Sequence, residues 1–256
     1  MRINNNIMAM NAHNQLRTNN YKQGKSIEKL SSGLRINRAA DDAAGLAVSE
    51  KMRGQIRGLG QAQRNAQDGI SLIQTAEGAL NEVSNMLTRM KELAVQKANG
   101  TYDNKDKSNI QLEMSSLNAE INAIKTNTEF NDKKAFGQAF SIVLNDGASV
   151  SLKVDIKSIG GVTTAGTAKV TSIETKINSV TSQRAQLGAW QNRLEHTVNN
   201  IGTTVENLQA SESRIRDTDM AKEMMNFTKF NILQQASQSM LAQANMAPQG
   251  VLQLLG

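Results

Sequence analysis

Two adjacent carboxylates, Asp41 and Asp42, and two histidines, His13 and His196, are the residues of this chain best suited to proton transfer or metal binding. Paired acids act as general acid and base or share a hard cation, and histidine titrates near neutral pH and ligates metals. Spacing removes most of that chemistry. Asp41–Asp42 lies just before an apolar helical pattern, where an acid caps the first turn. Glu195-His196 runs on into Thr197-Val198 and so lacks the second histidine of an HExxH zinc motif. Gly58-Leu59-Gly60 lacks the third glycine and the preceding strand of a dinucleotide loop. Asn226-Phe227-Thr228 is spelled as a glycosylation acceptor but sits on an apolar helix. Cysteine is absent, which excludes disulfides, thiolate metal sites and cysteine nucleophiles. No catalytic residue, cofactor or metal site is assigned, and the chain is not read as an enzyme.

The elements that would position any site are long helices. A stripe runs Ile173, Ile177, Val180, Arg184, Leu187, Gln191, Leu194, Val198, Ile201, Val205, Leu208, Glu212, Ile215, alternating steps of four and three. Such a seam must meet another helix. A helix over this span is roughly 65 Å long, so the sequence builds a rod. A second stripe runs Met52, Ile56, Leu59, Gln63, Ala66, Ile70, Ile73, then slips phase to Ala76, Leu80, Val83, Leu87, Met90, Ala94. Two consecutive threes at Ile70–Ile73–Ala76 read as a stammer. A third is Ile110, Met114, Leu117, Ile121, Ile124. Matching seams of this kind bundle. The polar members Gln63, Arg184, Gln191 and Glu212 are expected to set register.

Composition agrees. Aromatics are only 3% and proline occurs once, so the large side chains of a thick globular core are scarce. No apolar run is long enough to span a bilayer, and MRINNNIMAM lacks the apolar region of a secretory signal, so export from the cell requires another route. Net charge is +6, matched by the first 75 residues with eleven Lys and Arg against five acids. These bases are spread along amphipathic helices without interleaved aromatics, which is a solvated face and no nucleic-acid surface. The twelve methionines fall largely on apolar helix faces, where they fill core gaps or face an interface that repacks.

The ends are apolar: Ile3, Ile7 and Met10, then Ile27, Leu30 and Leu34 at one, and Met220 through Leu252, Leu254 and Leu255 at the other. They must be covered by their own chain or by other copies. Asparagines at Asn4–Asn6 and Asn19–Asn20 interrupt the first stripe. Two hinge-like stretches, Ser31–Glu50 and Ala210–Met220, separate ends from middle and are expected side by side; Gly33 and Gly45 there should interrupt helix. In the middle the period changes to two around Asn145-Asp146-Gly147, giving a β-hairpin near residues 139–157 that lies on the bundle. Ile159–Ala168 reads as an exposed loop. The domains expected are 1–44 with 214–256, and 45–213. The fold class is mainly α: an elongated antiparallel helical bundle or coiled coil with a small β-hairpin.

SSGLRINRAADDAAGLAVSEKMRGQIRGL (Ser31–Leu59) and NAQDGISLIQTAEGAL (Asn65–Leu80) resemble the N-terminal signature of bacterial flagellin. QRAQLGAWQNRLEHTVNNI (Gln183–Ile201), ESRIRDTDMAKEM (Glu212–Met224) and LAQANMAPQGVLQLLG (Leu241–Gly256) resemble its C-terminal signature. The resemblance is colinear and covers roughly residues 1–135 and 171–256; the middle is much shorter than in many flagellins, so inserted outer domains are not expected. It implies an extracellular subunit that polymerises with itself into the flagellar filament for swimming motility. The terminal helices form the filament core, with Ile3, Ile7, Leu252, Leu254 and Leu255 as assembly residues. It further implies type III export without a cleaved signal, and as partners the flagellar export apparatus with an export chaperone, the filament cap and hook-junction proteins.

Some members of that family are ligands of host Toll-like receptor 5, and LTRMKELAVQ (Leu87–Gln96) matches the receptor-reading helix. The matching contacts are Arg89, Leu93 and Glu113, with Arg89 and Leu93 expected on one face. Alternative readings are a hook–filament junction protein, which shares the terminal-helix design, and a generic coiled-coil scaffold. A flagellin-borne protease would need HExxH in the middle, which holds no histidine.

Overall fold

An unbroken seam makes α2 (Ala43–Ala98) a single long helix. The structure, a computed structural model, describes residues 6–158 and 170–255, the side chains of 248–255 excepted. It contains α1 (Ile7–Ser32), α2, α3 (Asn104–Asn127), short strands β1 (Glu129–Phe130) and β2 (Lys133–Lys134), β3 (Gln138–Val143), β4 (Ser151–Ile156), α4 (Val170–Arg216) and α5 (Met220–Leu255). The fold is mainly helical, as expected. Two compact units divide it: 1–54 with 208–256, and 55–207. The expected boundaries at 44/45 and 213/214 thus lie further toward the ends than the observed ones.

In the unit of residues 55–207, α2 runs antiparallel to α3 and α4. Arg89 and Lys97 reach Glu113 and Gln111, while Lys91 and Glu77 pair with Glu174 and Arg184. The α4 stripe is unequally buried. Ile173, Val180, Leu187, Leu194 and Ile201, seven apart, are buried, whereas Ile177, Arg184, Gln191 and Val198 are half-buried. The α3 stripe buries Ile110, Met114 and Ile121.

The expected stammer in α2 is absent. The buried seam runs Ala62, Ala66, Gly69, Ile73, Ala76, Leu80, Val83, Leu87, Met90 and Ala94, an unbroken alternation of four and three, with Leu72 and Leu93 buried at its flank. Gly69 occupies the seam position that apolarity alone assigned to Ile70, and Ala62 the one assigned to Gln63. A glycine does not register as apolar, so the pattern appeared to slip. The space above Gly69 is filled by the hairpin: a Cβ there would collide with Ile142 Cδ1.

That hairpin pairs Phe140 with Val154 and Ile142 with Leu152. Leu152, Val154 and Ile156 face the core, and the alternate residues of β4 face solvent. Asn65 Nδ2 donates to the Val143 carbonyl (3.3 Å), and Gln183 Nε2 donates to the Lys157 carbonyl (2.8 Å), tying the hairpin to both long helices. The turn rests on Gly58, where an added Cβ would lie 2.6 Å from Asp146 Cβ and 3.0 Å from its Cα. Gly58-Leu59-Gly60 therefore has a packing role. The β1–β2 turn was not legible as alternation, because its strands are two residues each. Its signal is Asn131-Asp132, both at positive φ (50° and 58°), as a two-residue hairpin loop requires. The loop expected at Ile159–Ala168 lies outside the described residues.

Alanine at an open helical glycine gains up to about 1 kcal/mol of helix propensity. Gly60→Ala and Gly78→Ala, with open space at the Cβ, are expected to raise the thermal midpoint of the isolated chain. Gly58→Ala is expected to lower it, because the backbone of Asp146 must move. Differential scanning calorimetry of the three variants checks this; equal stabilisation by all three would refute the seating of the turn on Gly58.

Candidate assembly surfaces

The helix pair in the unit of residues 1–54 and 208–256 inverts the usual burial pattern. Helix α1 turns Ala9, Ala12, Leu16, Asn19, Gln23, Ser26 and Leu30 inward, again at alternating steps of three and four. This seam is small and polar. The apolar residues Ile7, Met8, Met10, Tyr21 and Ile27 are exposed, so the stripe read from Ile7, Met10 and Ile27 is the outer face, not the inner one. On α5, Phe227, Phe230, Gln234, Ser237, Leu241 and Ala244 lie inward, while Met224, Met225, Ile232, Leu233, Met240 and Met246 are exposed. Among the described residues of this unit, Ile36 and Ala244 are the only buried hydrophobics.

Polar pins set the pairing. Asn6 accepts from the Ala9 amide as N-cap of α1 and donates to the Ala244 carbonyl (2.6 Å). Asn19, 2% exposed, donates to Ser237 Oγ (3.1 Å) and to the Leu233 carbonyl (3.4 Å). The falling partner numbers show α1 and α5 to be antiparallel. Of the asparagines that interrupt the α1 stripe, Asn6 and Asn19 thus bond across to α5 and hold the register. Ile3 lies outside the described residues. Leu252, Leu254 and Leu255 lie on α5, and Ile7 is 59% exposed.

The two hinge-like stretches come together. Gly33 caps α1 in the left-handed region (φ 72°), its amide donating to the Lys29 carbonyl. Leu34 then bridges Asp217, the Arg35 amide donates to the Arg216 carbonyl (2.7 Å), and the Arg35 guanidinium donates to the Ile215 carbonyl. Asp42 Oδ1 accepts from the Gly45 amide (2.8 Å) and caps α2. Gly45 does not break the helix: it lies in the first turn of α2, where a Cβ would strike the Asp42 carboxylate. Asp41 pairs with Lys25 and accepts from the Arg38 amide. Arg216 bonds Glu50 (2.6 Å). The two adjacent aspartates are therefore engaged in capping and pairing, and His13 and His196 are exposed and far apart in sequence. Among the described residues no cluster of three or more acids and histidines could hold a metal ion, and no helix is long and apolar enough to cross a membrane.

A second surface lies on α2 and α3. Arg89 Nη2 contacts Glu113 Oε1 at 3.1 Å, and its Nη1 donates to Glu92 Oε2 at 3.1 Å; all three side chains are about half exposed. The carboxylates of Glu92 and then Glu113 raise the guanidinium's pKa. Leu93 does not share this face. It is 2% exposed and belongs to the core beside Met90 and Ala94. Four residues along a helix bring side chains near one another, but Leu93 falls on the seam side and Arg89 on the solvent side. The structure thus joins Arg89 to Glu113 and separates Leu93 from both.

The junction carries a pH dependence. Hydrogen bonds from Lys25 and the Arg38 amide hold Asp41 below the usual carboxylate range, and Arg216 does the same for Glu50. Carboxylates with lowered folded pKa contribute stability that is complete above their unfolded pKa of about 4 and is lost as pH falls through the folded value. Lys25, raised chiefly by its bond to Asp41, contributes until pH rises through its own elevated folded value. The junction is expected to hold between these limits and open in acid. NMR of the Arg35 amide and of the Thr218 amide, which donates to the Gly33 carbonyl (2.9 Å), across an acid titration checks this; unchanged shifts after both carboxylates protonate would refute it.

Residues 3–141 match the bacterial flagellin N-terminal helical region, and residues 170–255 match the bacterial flagellin C-terminal helical region. The chain is 53% identical to a flagellin of Halalkalibacterium halodurans and 50% identical to a flagellin of Bacillus subtilis, each over the full length of both chains. It is 46% identical, again end to end, to the flagellar filament 31.3 kDa core protein of Treponema maltophilum. The crystal structure of Bacillus cereus flagellin aligns with a TM-score of 0.48 at 32% identity, over 58% of this chain and 94% of that one. The chain belongs to the bacterial flagellin family, the structural subunits of the flagellar filament.

Proposed function

We propose that this chain polymerises with itself through the outward apolar faces of α1 and α5, forming the core of an extracellular flagellar filament that drives swimming. The observation that carries the reading is the inverted helix pair: its seam is largely small and polar, with a few half-buried leucines and phenylalanines, while Ile7, Met8, Met10, Ile232 and Met240 face out. Burying one such side chain is worth about 1.5–3 kcal/mol, and a neighbouring copy presents the same apolar faces to bury it against. Export through the flagellar apparatus with a chaperone, and contacts with filament cap and hook-junction proteins, accompany this role. A hook–filament junction role is less well supported, since the full-length relatives named above are flagellins and a filament core protein.

Removing residues 246–256 is expected to abolish filaments seen by electron microscopy while leaving the bundle of residues 55–207 folded, because its heptads end before α5. Circular dichroism should retain most of the helix signal. Normal filaments from the truncated chain would refute the assignment of the C-terminus to the assembly core.

Recognition by Toll-like receptor 5 is a second reading, favoured by the exposed Arg89–Glu113 pair. Leu93, being buried, supports the backbone of that patch instead of touching a partner. Arg89→Ala is expected to weaken receptor binding by about 1–3 kcal/mol, with little cost to the monomer because an exposed ion pair stabilises it weakly. Lys105→Ala, in the first turn of α3, is the control. Wild-type binding by both variants in a soluble monomer assay would remove the receptor reading and leave the patch to structure.

A further inference from the structure

We propose that six methionines of the terminal helices form a peroxide-sensitive set that decides whether a free subunit can join the filament; the inference rests on the assembly reading above. Met8, Met10, Met224, Met225, Met240 and Met246 are 51–69% exposed in the single chain. Met90 and Met114, in the core of the other unit, are 0% and 1% exposed. The chain has no cysteine, so thioethers are its softest groups toward a peroxide. Met220, at the start of α5, is 46% exposed and Met52 and Met86 are half-buried, so access is graded, with the six most open thioethers among the described residues on α1 and α5.

The chemistry is a two-electron oxygen transfer. The thioether sulfur attacks one oxygen of hydrogen peroxide, the O–O bond breaks and an S–O bond forms. The other oxygen leaves as hydroxide and takes the remaining proton, giving one sulfoxide and one water. Sulfur is oxidised by two electrons and peroxide is reduced by two. The product replaces a flexible apolar side chain with a polar one that needs a hydrogen-bond donor. Met224 and Met225 flank a shallow depression with Thr228 and Ile232, and Met8 and Met10 stand beside Ile7. A sulfoxide carried into a dry contact of this kind leaves an unsatisfied acceptor. Subunits oxidised before assembly are excluded; subunits already packed are shielded.

The test treats the full chain with hydrogen peroxide as free subunit and as filament, maps oxidation by peptide mass spectrometry, and follows elongation of filament seeds. In the free subunit the six methionines should gain oxygen well before Met90 and Met114. The critical concentration for elongation should rise about tenfold or more, and methionine sulfoxide reductases should restore it. A chain with these methionines changed to leucine, whatever its own critical concentration, should show no further rise on peroxide treatment. Oxidised subunits that elongate seeds normally would overturn the inference and leave the assembly reading standing, as would a block that reductases do not reverse. Should the leucine variant fail to fold or elongate, reductase repair of the natural chain decides. Oxidation of the six as fast in filaments as in free subunits would overturn both readings, because the faces would then not be buried by assembly.

Discussion

Two helices have one face in common, and the amino acids placed on that face determine what the rest of the pair must do. In α1 and α5 the common face holds alanine, serine, asparagine and glutamine, with a few leucines and phenylalanines. Small residues let the backbones approach, and asparagine bonds fix the pairing, but little apolar area is removed from water. The large apolar side chains stand on the remaining faces. A soluble monomer seldom leaves so much apolar surface uncovered. In the assembly proposed above, identical copies of the chain cover these faces.

The unit of residues 55–207 follows the opposite rule. Its seams are apolar, the β3–β4 hairpin closes over the helices, and the buried side chains form one cluster reaching from Ala66 to Leu194. Its polar seam members find partners at its edge, as Arg184 does with Glu77. Such a body needs no second copy to hide its core. The division of labour explains why one chain carries both a self-sufficient bundle and a helix pair that cannot satisfy itself.

Legibility in the sequence tracked this difference. In α3 and α4 the apolar stripe is the buried stripe, because burial there is within the chain, and Ile110, Met114, Leu187 and Leu194 were all identified. The hairpin was equally plain, since alternation and an Asp-Gly turn have a single physical meaning. In α1 the same logic selects Ile7, Met10 and Ile27 and misses Asn19 and Ser26, which are buried. Periodicity reports that a helix has an apolar face; it does not report whether the cover belongs to the same chain. Gly69 escaped for a related reason. A glycine in a seam is a hole, and only the element filling it, here Ile142, shows that the hole is structural.

The candidate receptor residues divide along the same line. Arg89 and Glu113 were matched by resemblance and meet in space as an exposed pair. Leu93 was matched with equal ease, yet its burial shows that a residue can recur in a signature because the fold needs it. The distinction is one of free energy. Replacing Leu93 would empty part of the core and cost a few kcal/mol, whereas replacing Arg89 removes a solvent-screened ion pair worth little to the monomer. A position whose loss leaves the monomer nearly unchanged but weakens an encounter belongs to a surface. A position whose loss weakens both is ambiguous unless folding is measured beside binding.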